Sequence, residues 1–353
     1  MAKMIVDLRS DTVTLPTPEM RQAMLNAEVG DDVYHDDPTI NKLEALAAEC
    51  MGKEAAVYVA SGCQGNASAV IAHTQLNGAM VVERRAHINT TEKPCMERLV
   101  RVKAIVIDEP SGILDPDVVD RTVAGARAGG DDVRLLCLEN THNLAGGIPV
   151  PVPRMAALKA VADKHGLKVH LDGARVFNAA TALKVDVKDI VRHVDSVMFC
   201  VSKGLSAPVG SLVAGTKEFV KEARIARQML GGQMRQAGVI AAAGIVALTE
   251  MPQRLQADHD NARLLAEAMA RMPGLRVDLD RVRSNIIFAR ADSPEMADRL
   301  VALAEAEGVK FRAFGGGMMR LVTNKEVTRE GTLHAVDVIG KAMKSIVGRT
   351  AVG

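Results

Sequence analysis

Lys203 stands at the end of Ser196-Val197-Met198-Phe199-Cys200-Val201-Ser202-Lys203-Gly204, just past an apolar run that reads as a buried strand. An ammonium there is costly without a partner, and desolvation turns it toward an amine nucleophile for a carbonyl group. A second strand-like run ends on Asp172 in His170-Leu171-Asp172-Gly173-Ala174-Arg175. Open α/β sheets collect ligands at that end of a strand, where a carboxylate can pair with a protonated heterocyclic nitrogen. A third segment, Ser61-Gly62-Cys63-Gln64-Gly65-Asn66, follows a strand and opens a helix. Its small residues bring backbone N–H groups and the helix dipole to a phosphate. Singly, each has a plain structural reading: a snorkelling lysine, a helix-capping aspartate, a strand-to-helix turn. Together they offer a phosphate cradle, a carboxylate for a pyridine nitrogen and an amine. That set matches pyridoxal 5'-phosphate (PLP), whose ring accepts electrons from a carbanion at a substrate Cα.

Two histidines follow other strand-like runs, His87 after Ala86 and His142 in Glu139-Asn140-Thr141-His142-Asn143. At the same sheet edge, His87 can stack on the cofactor ring and His142 can meet a substrate hydroxyl. A satisfied structural histidine is the equal alternative for each. Arg175, Arg235 and Arg320 are the arginines in suggestive places, since arginine binds carboxylate or phosphate bidentately and stays charged. Arg320 lies within an apolar, strand-like run and so needs a partner.

The elements that must position these groups read as an α/β chain. Strands are predicted at 56–60, 79–83, 104–107, 133–138, 168–171, 196–200 and 211–214, with helical patterns between them such as 66–75 and 154–165. Several strands are apolar throughout, as in a mostly parallel sheet covered on both faces. Beyond Gly231 come long helices at 236–249 and 254–271, a βαβ-like set at 285–289, 294–306, 309–312 and 319–322, and a last helix at 328–347. This gives an N-terminal arm over 1–30, a large domain over 31–254 and a small C-terminal α/β domain over 255–353.

Composition excludes several classes. With 44 Lys and Arg against 43 Asp and Glu, the net charge is +1, and the charges are interleaved rather than gathered into a nucleic-acid stripe or membrane anchor. The longest apolar runs are too short to span a bilayer. Five cysteines are too scattered for a CxxC metal site and odd in number for a disulfide framework, so no metal is expected. Asp7, Arg9 and Asp11 interrupt any leader-like apolar run, and the expected location is the reducing cytoplasm.

Longer passages carry a resemblance. Asp7-Leu8-Arg9-Ser10-Asp11-Thr12-Val13-Thr14, Gly30-Asp31-Asp32-Val33-Tyr34, the His142 and Asp172 motifs, Ser202-Lys203-Gly204-Leu205-Ser206-Ala207-Pro208-Val209-Gly210 and the stretch 229–238 resemble the low-specificity L-threonine aldolases. These are PLP enzymes of fold type I, and the similarity runs nearly end to end. It implies a large domain whose seven-stranded sheet is sandwiched by helices, with PLP carried as a Schiff base on Lys203 and its ring nitrogen paired with Asp172. It implies further that His87 stacks on the ring, that Ser61, Gly62, Cys63 and Ser202 lie near the phosphate, and that Arg175, Arg320 and Ser10 hold the substrate carboxylate and nearby cofactor oxygen. Family members are typically homotetramers with active sites at dimer interfaces, which would put Tyr34 and Arg235 near a neighbouring subunit's cofactor.

The implied reaction is retro-aldol cleavage of an L-β-hydroxy-α-amino acid, such as L-threonine or L-allo-threonine, to glycine and an aldehyde, with His142 and His87 handling the hydroxyl proton. The alternatives are a PLP-dependent β-elimination, transamination or decarboxylation, and a non-enzymatic PLP-binding or nucleotide-binding protein on the same fold. This sequence departs from the family in Cys63 where threonine is usual, His35 where glycine follows the tyrosine, and Asn324 where histidine is common. The stretch 89–101 also lacks the family's tyrosine before Glu92 and its glycine pair. These changes bear on substrate preference and erythro/threo selectivity.

Overall fold

Ala79–Glu83 shows why the central sheet forms: all five residues are buried, without polar alternation, as in a strand covered on both faces. The computed structural model describes residues 3–350. These form two compact units, one from 16–145 and 149–252, the other from 3–15, 146–148 and 253–350.

In chain order, β1 (Val6–Asp7) belongs to the smaller unit, and the next seven strands make the sheet of the larger one. They are β2 (Ala55–Val59), β3 (Ala79–Glu83), β4 (Lys103–Ile107), β5 (Val133–Glu139), β6 (Lys168–Asp172), β7 (Ser196–Cys200) and β8 (Ser211–Gly215). Each lies within one residue of its predicted position. The order across the sheet is β2-β8-β7-β6-β5-β3-β4. Only β8 runs against its neighbours, so β2 is parallel to the other five and six carboxyl ends share one edge. In such a sheet that edge is where ligands gather.

Three helices of the larger unit show how the sequence provides a cap at the start. In α1 (Pro18–Leu25), Thr17 caps and proline opens the first turn; in α2 (Pro38–Met51), Asp37 accepts from Thr39 and Ile40 N–H and Gly52 ends the helix at φ 59°. In α3 (Gly62–Thr74), the Ser61 hydroxyl accepts from Gln64 N–H at 3.2 Å. Gly65 lets α3 press onto the sheet: a Cβ there would lie 2.7 Å from Met198 Cγ and 3.1 Å from Val213 Cγ2. Of the arm expected over 1–30, the described residues 3–30 include regular structure. β1 pairs with a strand of its own unit and Leu8 is wholly buried there, while α1 packs on helix Gly238–Glu250. The Thr17-Pro18 start signal announces that helix.

The smaller unit continues with β9 (Leu275–Val277), β10 (Ile286–Ala291), β11 (Val309–Lys310), β12 (Arg312–Ala313) and β13 (Met318–Val322). Its sheet, β12-β13-β10-β9, is antiparallel, which corrects the βαβ-like reading. The elements fall where the sequence places them, but the crossover helix Pro294–Ala306 leads to β11, which pairs parallel with β1 and not with β10. Gly315, Gly316 and Gly317, all at positive φ, then turn β12 back onto β13. Among the described residues, no helix is long and apolar enough to cross a membrane.

Gly65→Val should lower unfolding free energy in urea by about 1–3 kcal/mol, because the stem of Met198 cannot withdraw without displacing its neighbours. Unchanged stability would show that the contact between α3 and β7 is loose.

Candidate active site at the sheet edge

Five segments singled out in the sequence leave carboxyl ends of parallel strands of the larger unit. β2 leads to Ser61 and the start of α3, and β3 to His87. β5 ends in Glu139 and leads to His142, β6 ends in Asp172, and β7 leads to Ser202 and Lys203. The chain after Lys203 is folded back, with Ser206 N–H donating to Lys203 O at 2.8 Å and Val201 N–H to Gly210 O at 3.3 Å. Gly210, at φ 107°, passes so close to Tyr58 that a Cβ would overlap its hydroxyl.

Asp172 is buried, and one buried amide organises its surroundings. Asn66 Nδ2 donates to Asp172 Oδ2 at 2.9 Å and to Glu92 Oε1 at 3.0 Å, while Ala174 N–H donates to Asp172 Oδ1 at 3.1 Å. With Nδ2 facing two carboxylates, Asn66 Oδ1 must be the acceptor toward His170 Nε2 at 3.1 Å, so that nitrogen carries the proton. His170 Nδ1 then accepts from Ser196 Oγ at 2.8 Å, and Ser196 accepts from His73 Nε2 at 2.7 Å. Every donor in this chain points toward the carboxylates. Burial pushes the His170 pKa down to about 3, keeping the ring neutral.

His87 and His142 are each tied to a different carboxylate. His87 Nδ1 lies 2.5 Å from Glu92 Oε1, and this bond holds the imidazole above its ordinary pKa. Among the described residues, no hydrogen bond engages His87 Nε2. Glu139 clamps two strand ends, accepting from His87 N–H and from Asn143 N–H, each at 2.7 Å. Burial raises the Glu139 pKa, opposed by the nearby His142. His142 is itself buried, with Nε2 2.9 Å from Glu83 Oε2 and Nδ1 accepting from Ala145 N–H at 3.2 Å. Burial disfavours its charged form, but the carboxylates of Glu139 and Glu83 pull its pKa above the ordinary value. A second ring proton would nevertheless have to displace Ala145 N–H, so the neutral Nε2–H form fits this geometry.

Cys63, in the first turn of α3, is exposed as a residue, but neighbouring atoms partly shield its thiol and push it up to about 12, first by that desolvation and then by the Glu92 charge, with Lys203 acting the other way. Its thiol thus senses Lys203, Asp172 and Glu92 together. Arg175 precedes helix Val176–Leu183 and is buried. Arg235 pairs with Asp31 at 3.0 Å on the surface, near the exposed Tyr34, while Asp32 is anchored beneath by the buried Arg227 at 2.7 Å. His35 follows at φ 61°, the left-handed geometry that glycine adopts without strain.

Ser10 and Arg320 belong to the smaller unit. Ser10 Oγ accepts from Thr12 N–H at 3.2 Å. Arg320 lies in β13 with its guanidinium 5.0 Å from the Phe314 ring centroid and donates to Arg9 O at 3.4 Å. Asn324 Nδ2 donates to Asp7 O at 3.1 Å, fixing the segment that carries Ser10.

Glu83 had no role in the sequence reading, Glu92 served only as a landmark, and Asn66, Glu139 and His170 were noticed only as parts of motifs. Asn66 carried a usable signal, a polar side chain on a helical stretch of otherwise small or apolar residues. Glu92 carried none, because its partners come from α3 and from a turn.

Because His170 stays neutral when folded, the unfolded chain takes up a proton below about pH 6.5 that the folded chain refuses until about pH 3. Its contribution to stability is complete above the unfolded value and is lost as pH falls, by up to about 1.4 kcal/mol per pH unit. His170→Gln, which keeps an N–H for Asn66, should flatten the pH dependence of urea unfolding between about pH 6.5 and 4.5. An unaltered slope would contradict a neutral His170.

A family model for beta-eliminating lyases matches residues 7–292. The chain is 40% identical over 344 residues to low-specificity L-threonine aldolase 1 of Arabidopsis thaliana, covering 96% of each. It is also 40% identical over 327 residues to the low specificity L-threonine aldolase of Escherichia coli strain K12, covering 92% of this chain and 96% of that one. Among solved structures, Leishmania major threonine aldolase shares the fold with a TM-score of 0.82 at 19% identity, over 96% of this chain and 99% of that one. The chain therefore belongs to the beta-eliminating lyase family and, within it, to the low-specificity L-threonine aldolases.

Proposed function

We propose that this protein cleaves L-threonine, L-allo-threonine or a related L-β-hydroxy-α-amino acid to glycine and an aldehyde, with PLP held at the carboxyl edge of the large sheet. The observation that carries the cofactor assignment is Asp172. Its carboxylate is buried, yet its hydrogen-bond donors, the Asn66 amide and Ala174 N–H, are neutral. A buried anion of this kind calls for a cationic N–H, which a protonated pyridine nitrogen provides. The N-terminus of α3, with Ser61, Gly62 and Cys63, and the neighbouring Ser202 suit a phosphate. Lys203 is the amine for the cofactor's carbonyl.

When bound, PLP supplies an electron sink for the bond broken at the substrate Cα. The protein's own groups decide which bond that is. Arg175 is offered to the substrate carboxylate, and Ser10 and Arg320 keep the role that the family resemblance gives them. Asp172 keeps a proton on the ring nitrogen, its rotamer fixed by Asn66. His87 is the better proton acceptor for the β-hydroxyl. Its Nδ1 is held by Glu92 as in a carboxylate–imidazole pair, leaving Nε2 to take the proton. His142, with Glu83 and Ala145 N–H on its two nitrogens, is a positioning residue in this reading.

The homotetramer expected from the resemblance remains part of the proposal. Tyr34 and the Asp31–Arg235 pair are exposed on one surface of the larger unit, as residues serving a neighbouring subunit's site would be. The description of the family model favours one rival chemistry, β-elimination, which would give a keto acid and ammonia instead.

Aldehyde and glycine should form from L-allo-threonine or L-threonine with the wild-type chain and not with Lys203→Ala. His87→Asn should slow cleavage about a hundredfold or more, as expected for loss of a general base. A keto acid with ammonia from the wild type would move the assignment to elimination, and full activity in His87→Asn would remove that residue from proton transfer.

A further inference from the structure

The sequence reading expects no metal because the cysteines are scattered, but folding brings one of them beside two other ligand-type side chains. Cys63 enters from the first turn of α3, His87 and Glu92 from the turns after β3. One ligand atom from each lies within 4.8 Å of the other two. The group is held in place before any ion arrives. Glu92 N–H donates to His87 O at 3.1 Å, His87 N–H is fixed by Glu139, and Asn66 holds Glu92 Oε1. A second observation points to a ligand: Glu92 is buried, and its other oxygen, Oε2, has no hydrogen-bond partner. A buried carboxylate oxygen left so is expensive unless a cation or proton reaches it.

We propose that Cys63, His87 and Glu92 form a binding site for a thiophilic divalent cation, with Zn²⁺ the best match. The donor set of thiolate sulfur, imidazole nitrogen and carboxylate oxygen is the one zinc takes. Metal–ligand bonds of about 2.0–2.3 Å in a tetrahedron set ligand atoms roughly 3.3–3.8 Å apart, so the three side chains need only small adjustments. On binding, the Cys63 thiol releases its proton to solvent, the proton on His87 Nδ1 passes to Nε2, and the fourth position stays open. The site depends on a departure particular to this sequence, since the threonine usual at position 63 offers no soft ligand. Resting on the aldolase reading, zinc held here withdraws His87 from proton transfer and inhibits cleavage.

The test uses the full-length enzyme with its cofactor. Zn²⁺ should slow alkylation of Cys63 by iodoacetamide at least tenfold, read by mass spectrometry, and leave the half-buried Cys50 and Cys95 unaffected. Equilibrium dialysis should find one high-affinity Zn²⁺ per chain, weakened at least tenfold in Glu92→Gln and lost in Cys63→Ser. Since Cys63 is exposed, its serine variant separates loss of a ligand from misfolding. Co²⁺ should give a thiolate-to-metal charge-transfer band that Cys63→Ser lacks. Unprotected Cys63, or equal zinc binding by wild type and Cys63→Ser, would overturn the proposal. Zinc bound as described without inhibition would leave the site standing and count against His87 as the proton acceptor.

Discussion

A single buried amide carries much of the site. Asn66 sits one turn into α3 and donates both of its N–H groups to carboxylates, one on Asp172 at the end of β6 and one on Glu92 in a turn after β3. Two buried carboxylates this close repel each other, and a shared neutral donor is a way of holding both without adding a charge. Because both carboxylates can only accept, the amide has a single orientation, and its Oδ1 then fixes the proton of His170 on Nε2. Ser196 and His73 extend the same polarity backward. The result is a set of side chains with one consistent donor direction, ending on Asp172, the group proposed for the pyridine nitrogen, and on Glu92, which holds His87.

The sheet makes this arrangement possible. Because β8 is the one strand that runs backward, the ends of β2, β3, β5, β6 and β7 open on the same edge and their following residues can meet. α3 then has to approach closely, and Gly65 permits it against Met198 and Val213. A side chain at Gly65 would lift the helix that presents both the phosphate-type turn and Asn66.

Much of this was legible in the sequence because the signals are local. Apolar runs such as Ala79–Glu83 mark buried strands almost to the residue, and the ends of those runs locate Asp172 and Lys203. The small unit was less legible, since strand positions do not say which strands pair: β11 goes to β1, far away in the chain, and the glycine turn at 315–317 makes an antiparallel hairpin. Glu92 and Glu83 were hidden for a related reason. Each is an ordinary acidic residue until folding places it against an imidazole. His142 shows the converse, a residue conspicuous in sequence whose two ring nitrogens prove to be occupied by the protein itself.

The central claim is that Asn66 acts through Asp172 to hold the cofactor's ring nitrogen. The direct measurement is a double-mutant cycle on PLP dissociation, followed by the cofactor's visible absorbance, for Asn66→Ala, Asp172→Asn and the pair. The account predicts that each single change weakens binding and that the double variant is little worse than Asp172→Asn, a coupling of about 1–3 kcal/mol. Losses that simply add would contradict it, because Asn66 would then affect the cofactor by a route that does not pass through Asp172.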